Sequence, residues 1–204
     1  MHGHAAQILP LVVATSFAAG INVYATVLTL GLLSHAGLFT LPQSLQILDS
    51  WWVIGISGML FLIEMFADKV PYFDVVWNVL HTFIRIPVAA LLAYGATSQL
   101  PPEWQLLSSG LGAAIALGVH SGKTALRVGV NTTPEPLSNI AVSTAEDGTA
   151  IGLTWLATVH PVIAASIAIA GMVLLLVAIR WIVRNLKKGV ANLRGSLQAR
   201  SARS

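Results

Sequence analysis

Residues 8–33, "ILPLVVATSFAAGINVYATVLTLGLL", run without a single charged side chain, and residues 162–179, "VIAASIAIAGMVLLLVAI", do the same. Stretches that approach or exceed roughly 18 apolar residues are long enough to cross the hydrocarbon core of a bilayer. Within that core, backbone donors and acceptors must be satisfied internally. Composition points the same way. Only 9% of residues are charged, against about 25% in a typical soluble domain, while 55% are hydrophobic and mean hydropathy is +0.77. The expected class is an all-α membrane protein.

The N-terminal "MHGHAAQ" has no Lys or Arg ahead of the apolar run, so it does not read as a cleavable signal peptide. The chain has no cysteine, which rules out disulfides, thiolate metal sites and cysteine catalysis. Its pI near 9.6 comes largely from the C-terminal tail and gives no ground for nucleic-acid binding.

Six spans are expected, at about 8–34, 51–67, 75–98, 105–130, 138–158 and 161–185. With both termini in the cytoplasm, the outer segments 35–50, 99–104 and 159–160 hold no Lys or Arg, and all eleven basic residues fall on the inner side. That is the asymmetry of the positive-inside rule. Trp51, Trp52, Trp104 and Trp181 lie near span ends, where aromatic belts form. Residues 186–204 form a basic cytoplasmic tail, attracted to anionic headgroups.

Sliding the chain by 98 residues lays "GINVYATVLTLGLL" (20–33) on "GVHSGKTALRVGVN" (118–131), matching Gly20 with Gly118, Thr26 with Thr124, Leu28 with Leu126 and Gly31 with Gly129. At an offset of 78, Trp77 meets Trp155, and "IPVAALLA" (86–93) then resembles "HPVIAASI" (160–167). The expected organisation is a three-helix repeat over 1–98 and a second, inverted one over 105–185. Three spans per half force the inversion, an arrangement that places transporter sites near the midplane at interrupted helices.

Charged and polar residues inside these spans are the candidate site. Glu64 and Asp68 are four apart and share a helix face. His120, Thr124 and Arg127 stripe the fourth span with Lys123 beside them, and Asn22, Thr26 and Thr29 lie on the matching face of the first. Asp74, Asn78, His81 and Arg85 form a polar ridge opposite Val75, Val76, Val79, Leu80 and Phe83, read as an amphipathic helix at the inner interface or a re-entrant one. Charge buried in lipid costs a few kcal/mol or more per residue, so these groups are expected to face one another or a watery cavity. Mutual neutralisation by structural pairing is the competing explanation for any one of them.

In "VSTAEDGTAIGLTW" (142–155), Glu146 and Asp147 are adjacent and Gly148 follows. Two carboxylates so close resist simultaneous ionisation, so the pair is a candidate for proton exchange or cation binding. The segment is expected to be a hairpin or a helix broken near Gly148. Upstream, "NTTPEPLSN" has two prolines and capping residues, so a fresh helix is expected to begin near Ser138. The expected binding residues are therefore Glu146, Asp147, Glu64, Asp68, His120, Lys123, Asn22 and Arg127. "GVHSGKT" has three residues between its glycines rather than four and follows no strand, so it is no phosphate loop. No HExxH or GxSxG spacing occurs, and no cofactor, metal or catalytic residue is expected.

The segments "AGINVYATVLTLGLL", "FADKVPYFDVVWNVLHTFIR", "HSGKTALRVGVNTTPEPLSN" and "AEDGTAIGLTWLATVHP" resemble a bacterial membrane-protein family known as domain of unknown function 4126, over about residues 10–185. The resemblance implies an integral membrane protein and supplies no activity. The residues favour a small proton- or cation-coupled secondary transporter in the inner membrane. Its partners would be the bilayer and a small solute or ion, with self-association open. A passive channel and an enzyme acting on a lipid headgroup are the alternatives.

Overall fold

Helix boundaries follow the local chemistry. Pro102, Pro136 and Pro161 each occupy the first position of a helix, where a missing N–H costs nothing and the fixed φ is already helical. The computed structural model describes residues 2–67, 73–130 and 136–201, with side chains for 7–67, 81–126, 140–181 and 183–185. Seven α-helices lie among them: α1 (His2–Ile21), α2 (Val23–His35), α3 (Trp51–Ala67), α4 (Phe73–Ala96), α5 (Pro102–Val130), α6 (Pro136–Val159) and α7 (Pro161–Ser201). A 3₁₀ segment, Gln43–Asp49, precedes α3, and no strand occurs among the described residues. The chain is all-helical.

Gly37 closes α2 at φ +70°, a left-handed position that glycine occupies without a Cβ penalty. The Leu38 amide donates to Leu33 and the Gly37 amide to Ser34, the double closure of a Schellman motif. His35 then reaches Asp49 at 2.8 Å, tying the 3₁₀ segment to α2.

The central helix is α1, packed against α4, α5, α6 and α7, while α2 packs on α3 and α6. Small residues allow the close crossings. A Cβ on Gly20 would meet Val119 Cβ at 2.8 Å, and one on Gly112 would meet Ala93 Cβ at 2.6 Å and Ser16 Oγ at 2.9 Å. Two apolar clusters fill the bundle. One is built on Val12, Val23, Tyr24, Leu45 and Leu92, the other on Phe17, Ile21, Val119, Leu153 and Ala168.

Charged side chains lie among the apolar core residues, while large apolar side chains are exposed. Glu64 and Arg85 are 0% exposed, whereas Trp52 is 82% and Phe83 78% exposed. One described helical stretch, Pro161–Asn185, is long and apolar enough to cross a membrane. The 3₁₀ segment and α3, bent by 65° at Ser50, would make a second if they form one broken span.

Three expectations need correction. No break occurs at Gly148: α6 runs unbroken from Pro136 to Val159. A helix-interior glycine costs only about 1 kcal/mol relative to alanine, and buried Ser143, Asp147, Ala150 and Leu153 hold this helix to its neighbours on either side of it. The polar ridge is not re-entrant, because α4 continues without interruption to Ala96, through Pro87. The match of Gly20 with Gly118 is not reproduced either. Gly20 lies at the α1–α5 crossing, whereas a Cβ on Gly118 would have no neighbour within 4 Å, because α5 turns Val119 towards α1 instead.

Candidate functional site

The first helix is interrupted at Asn22, not the sixth. Asn22 takes an extended conformation (φ −148°, ψ 104°), and its Oδ1 accepts from the Ala25 amide at 2.9 Å. A short amide side chain competes with the backbone for helical hydrogen bonds and caps the next helix. The apolar surroundings of Asn22 hid this signal. The break exposes two helix ends inside the protein, where their partial charges must be met by other groups.

Both ends are met. At the C-terminal end of α1, Lys123 Nζ of α5 donates to the Ile21 carbonyl at 3.1 Å. At the N-terminal end of α2, Asn22 Nδ2 donates to Asp147 Oδ1 of α6 at 2.9 Å. A cation thus sits at the negative helix end and a carboxylate beside the positive one, the sense each dipole favours. Asn22, Lys123 and Asp147 are all buried.

Lys123 also links two further carboxylates. Its Nζ lies 3.1 Å from Glu146 Oε2 and 3.9 Å from Glu64 Oε1. Glu64, one turn from the end of α3, bonds the Arg85 guanidinium of α4. The other terminal guanidinium nitrogen, Nη1, lies 2.8 Å from His120 Nδ1, and His120 Nε2 lies 2.7 Å from Thr82 Oγ1. Arginine only donates, so Nδ1 accepts, and the ring proton is on Nε2, directed at Thr82. Beside them Tyr24 and His81 meet edge-on at 5.4 Å. Thr82, Arg85, His120, Glu64, Lys123 and Glu146 form one chain across four helices.

Of the expected binding residues, the structure therefore gathers Asn22, Glu64, His120, Lys123, Glu146 and Asp147. Asp68 lies outside the described residues, as does the side chain of Arg127. The two adjacent acids diverge, Glu146 towards Lys123 and Asp147 towards Asn22, because successive helical residues point about 100° apart. Arg85 and Thr82 were not among the expected ligands. The ridge spacing of His81 and Arg85 was visible, but their direction into the bundle was not. Among the described residues no group of three His, Asp or Glu side chains is placed to hold a metal ion.

Next to the network lies a groove of about 460 Å³ between α1, α5, α6 and α7, with Lys123 and Glu146 in its wall and an otherwise largely apolar lining. It lies between α5 and α6, which make no extended contact with each other among the described residues.

A family model described as "Domain of unknown function (DUF4126)" matches residues 9–184, so the chain belongs to that family. No curated protein and no solved structure matches it.

Proposed function

We propose that this DUF4126 member is a small secondary transporter of six membrane spans, with both termini cytoplasmic in a bacterial inner membrane. Its proton- or cation-coupled site is the buried network at the Asn22 break. The observation that carries this reading is Lys123, a single ammonium joining the carbonyl at an interrupted helix to acids on two other helices. Irregular backbone at membrane depth is tolerated where protein lines it, and carriers bind ions and substrates at such interruptions. The membrane setting is supported by the many large apolar side chains on the exterior, around an apolar core that also holds paired charge, a combination that suits lipid.

An inverted repeat draws support from paired contacts rather than from the glycines. Contact of α4 with α5 has its counterpart in α7 with α1, and contact of α1 with α4 has its counterpart in α5 with α7. The halves differ in two ways: α2 packs on α3 while the groove parts α5 from α6, and α6 packs on α1 and α2 whereas α3 makes no comparable contact with α5 among the described residues. Alternating access needs such a difference, with one gap closed while its equivalent is open. Reconstitution into proteoliposomes separates a carrier from the alternatives. A carrier gives saturable uptake that responds to an imposed proton or cation gradient. Unsaturated conductance would mean a channel, and product formed from lipid without a gradient an enzyme.

A further inference from the structure

We infer that the groove between α5 and α6 is a binding site for an organic cation, an amphiphile whose charged centre lies against Glu146 and whose apolar body fills the groove. This rests on reading the neighbouring network as a transport site and names its substrate class. The volume of about 460 Å³ is in the range of small-molecule sites, which are mostly apolar with a few placed polar groups. Phe17, Ile21, Val119, Leu126, Leu174 and Leu175 supply apolar wall. That wall offers few oxygen ligands, and a bare metal ion demands many.

The sign of the charge follows from which of the two polar residues a ligand meets first. The side chain of Lys123 is 4% exposed and directed at Ile21 and Glu64 as well as Glu146, whereas that of Glu146 is 18% exposed. A ligand in the groove therefore reaches a carboxylate before an ammonium. An anion near Lys123 would lie beside the more exposed Glu146, against like charge. A cation replaces Lys123 at Glu146, and the ammonium keeps the Ile21 carbonyl at 3.1 Å and Glu64 at 3.9 Å, a carboxylate it shares with Arg85. The ammonium thus keeps a carboxylate nearby, which lowers the penalty of an isolated buried charge. Glu146 thereby connects ligand occupancy to the Lys123 contact at the helix break.

Equilibrium binding of tetraphenylphosphonium to the purified full chain in nanodiscs tests this, with tetraphenylborate as a probe of the same shape and opposite charge. Saturable tetraphenylphosphonium binding is expected, weakened about tenfold or more in Glu146→Gln, the loss of roughly one charge-pair interaction. Ala145→Phe, which fills the groove and leaves Glu146 intact, should weaken it similarly and carries the test if the first variant does not fold. Tetraphenylborate should bind far less. Absence of saturable tetraphenylphosphonium binding, equal binding of the two probes, or unchanged binding in folded variants would overturn the inference and leave the groove a lipid-filled seam. Binding without any gradient-driven flux would instead sink the transporter reading alone. Coupled flux of another solute without tetraphenylphosphonium binding would sink this inference alone.

Discussion

The Lys123 ammonium lies 3.1 Å from the Ile21 carbonyl, where the first helix is interrupted. A lysine buried in a largely apolar bundle is costly, and this one is held by the two features that reduce the cost, a helix C-terminus and facing carboxylates. The interruption and the charge account for each other. Asn22 opens the backbone, Lys123 satisfies one end of it, and Asp147 anchors the other through Asn22.

Removing the cap should loosen the whole site. Asn22→Leu loses the bond to the Ala25 amide and leaves Asp147 without its amide donor. Loss of an N-cap costs about 1 kcal/mol, and loss of a hydrogen bond to a charged group costs about 1.5–3 kcal/mol more. A lowered melting temperature in detergent is the expected result. A melting curve equal to wild type would mean that the break is held by packing alone.

Glu64 and Arg85 should behave as a coupled pair. Arg85→Met leaves buried carboxylate without its guanidinium partner, a change that costs about 3–5 kcal/mol in comparable sites. The double change Glu64→Gln with Arg85→Met removes both charges and should recover part of that loss. Thermal unfolding of the two single variants and the double variant gives the coupling directly. Strictly additive losses would show that the two side chains do not depend on each other.

The glycines should differ by position. Gly20→Val forces a side chain into α5 backbone and Val119, and overpacking of this kind costs about 1–3 kcal/mol. Gly148→Ala enters open space within a continuous helix, so it should be neutral or stabilise by up to about 1 kcal/mol. A severe loss from Gly148→Ala would restore the importance of that position as a break.

Topology can be tested separately, because the chain has no cysteine. In intact cells, a cysteine replacing Gln99 should react with an impermeant thiol reagent, and one replacing Asn185 should react only after permeabilisation. The reverse pattern would invert the orientation.

Helix positions were legible because apolar run length and proline punctuation are local properties. The third expected span, 75–98, became α4 at Phe73–Ala96, and the fresh helix expected near Ser138 begins at Pro136. Polar side chains in apolar runs also marked the site, since polar groups buried in an apolar bundle are stable only when paired. What stayed hidden depends on geometry between helices. The meeting of Arg85 with Glu64 and His120 requires knowing how α4 is rotated against α3 and α5, which no spacing within α4 reveals. The choice between Asn22 and Gly148 as the break turned on partners. Asn22 has Lys123 and Asp147 beside its two helix ends, whereas Gly148 lies in a helix already fixed by its buried neighbours.

The central claim is that the Lys123–Glu146 contact couples the network to transport, and the most direct measurement of it is solute flux in proteoliposomes with and without an imposed pH gradient, comparing wild type with Glu146→Gln. The variant keeps the size and much of the hydrogen bonding of the side chain while removing its charge, so it should fold. Wild-type flux should saturate and respond to the gradient, whereas the variant should lose that response and at least about tenfold in rate, the equivalent of one charge-pair interaction. A folded Glu146→Gln protein that keeps the wild-type rate and gradient dependence would contradict the account and leave the network a structural clamp on the helix break.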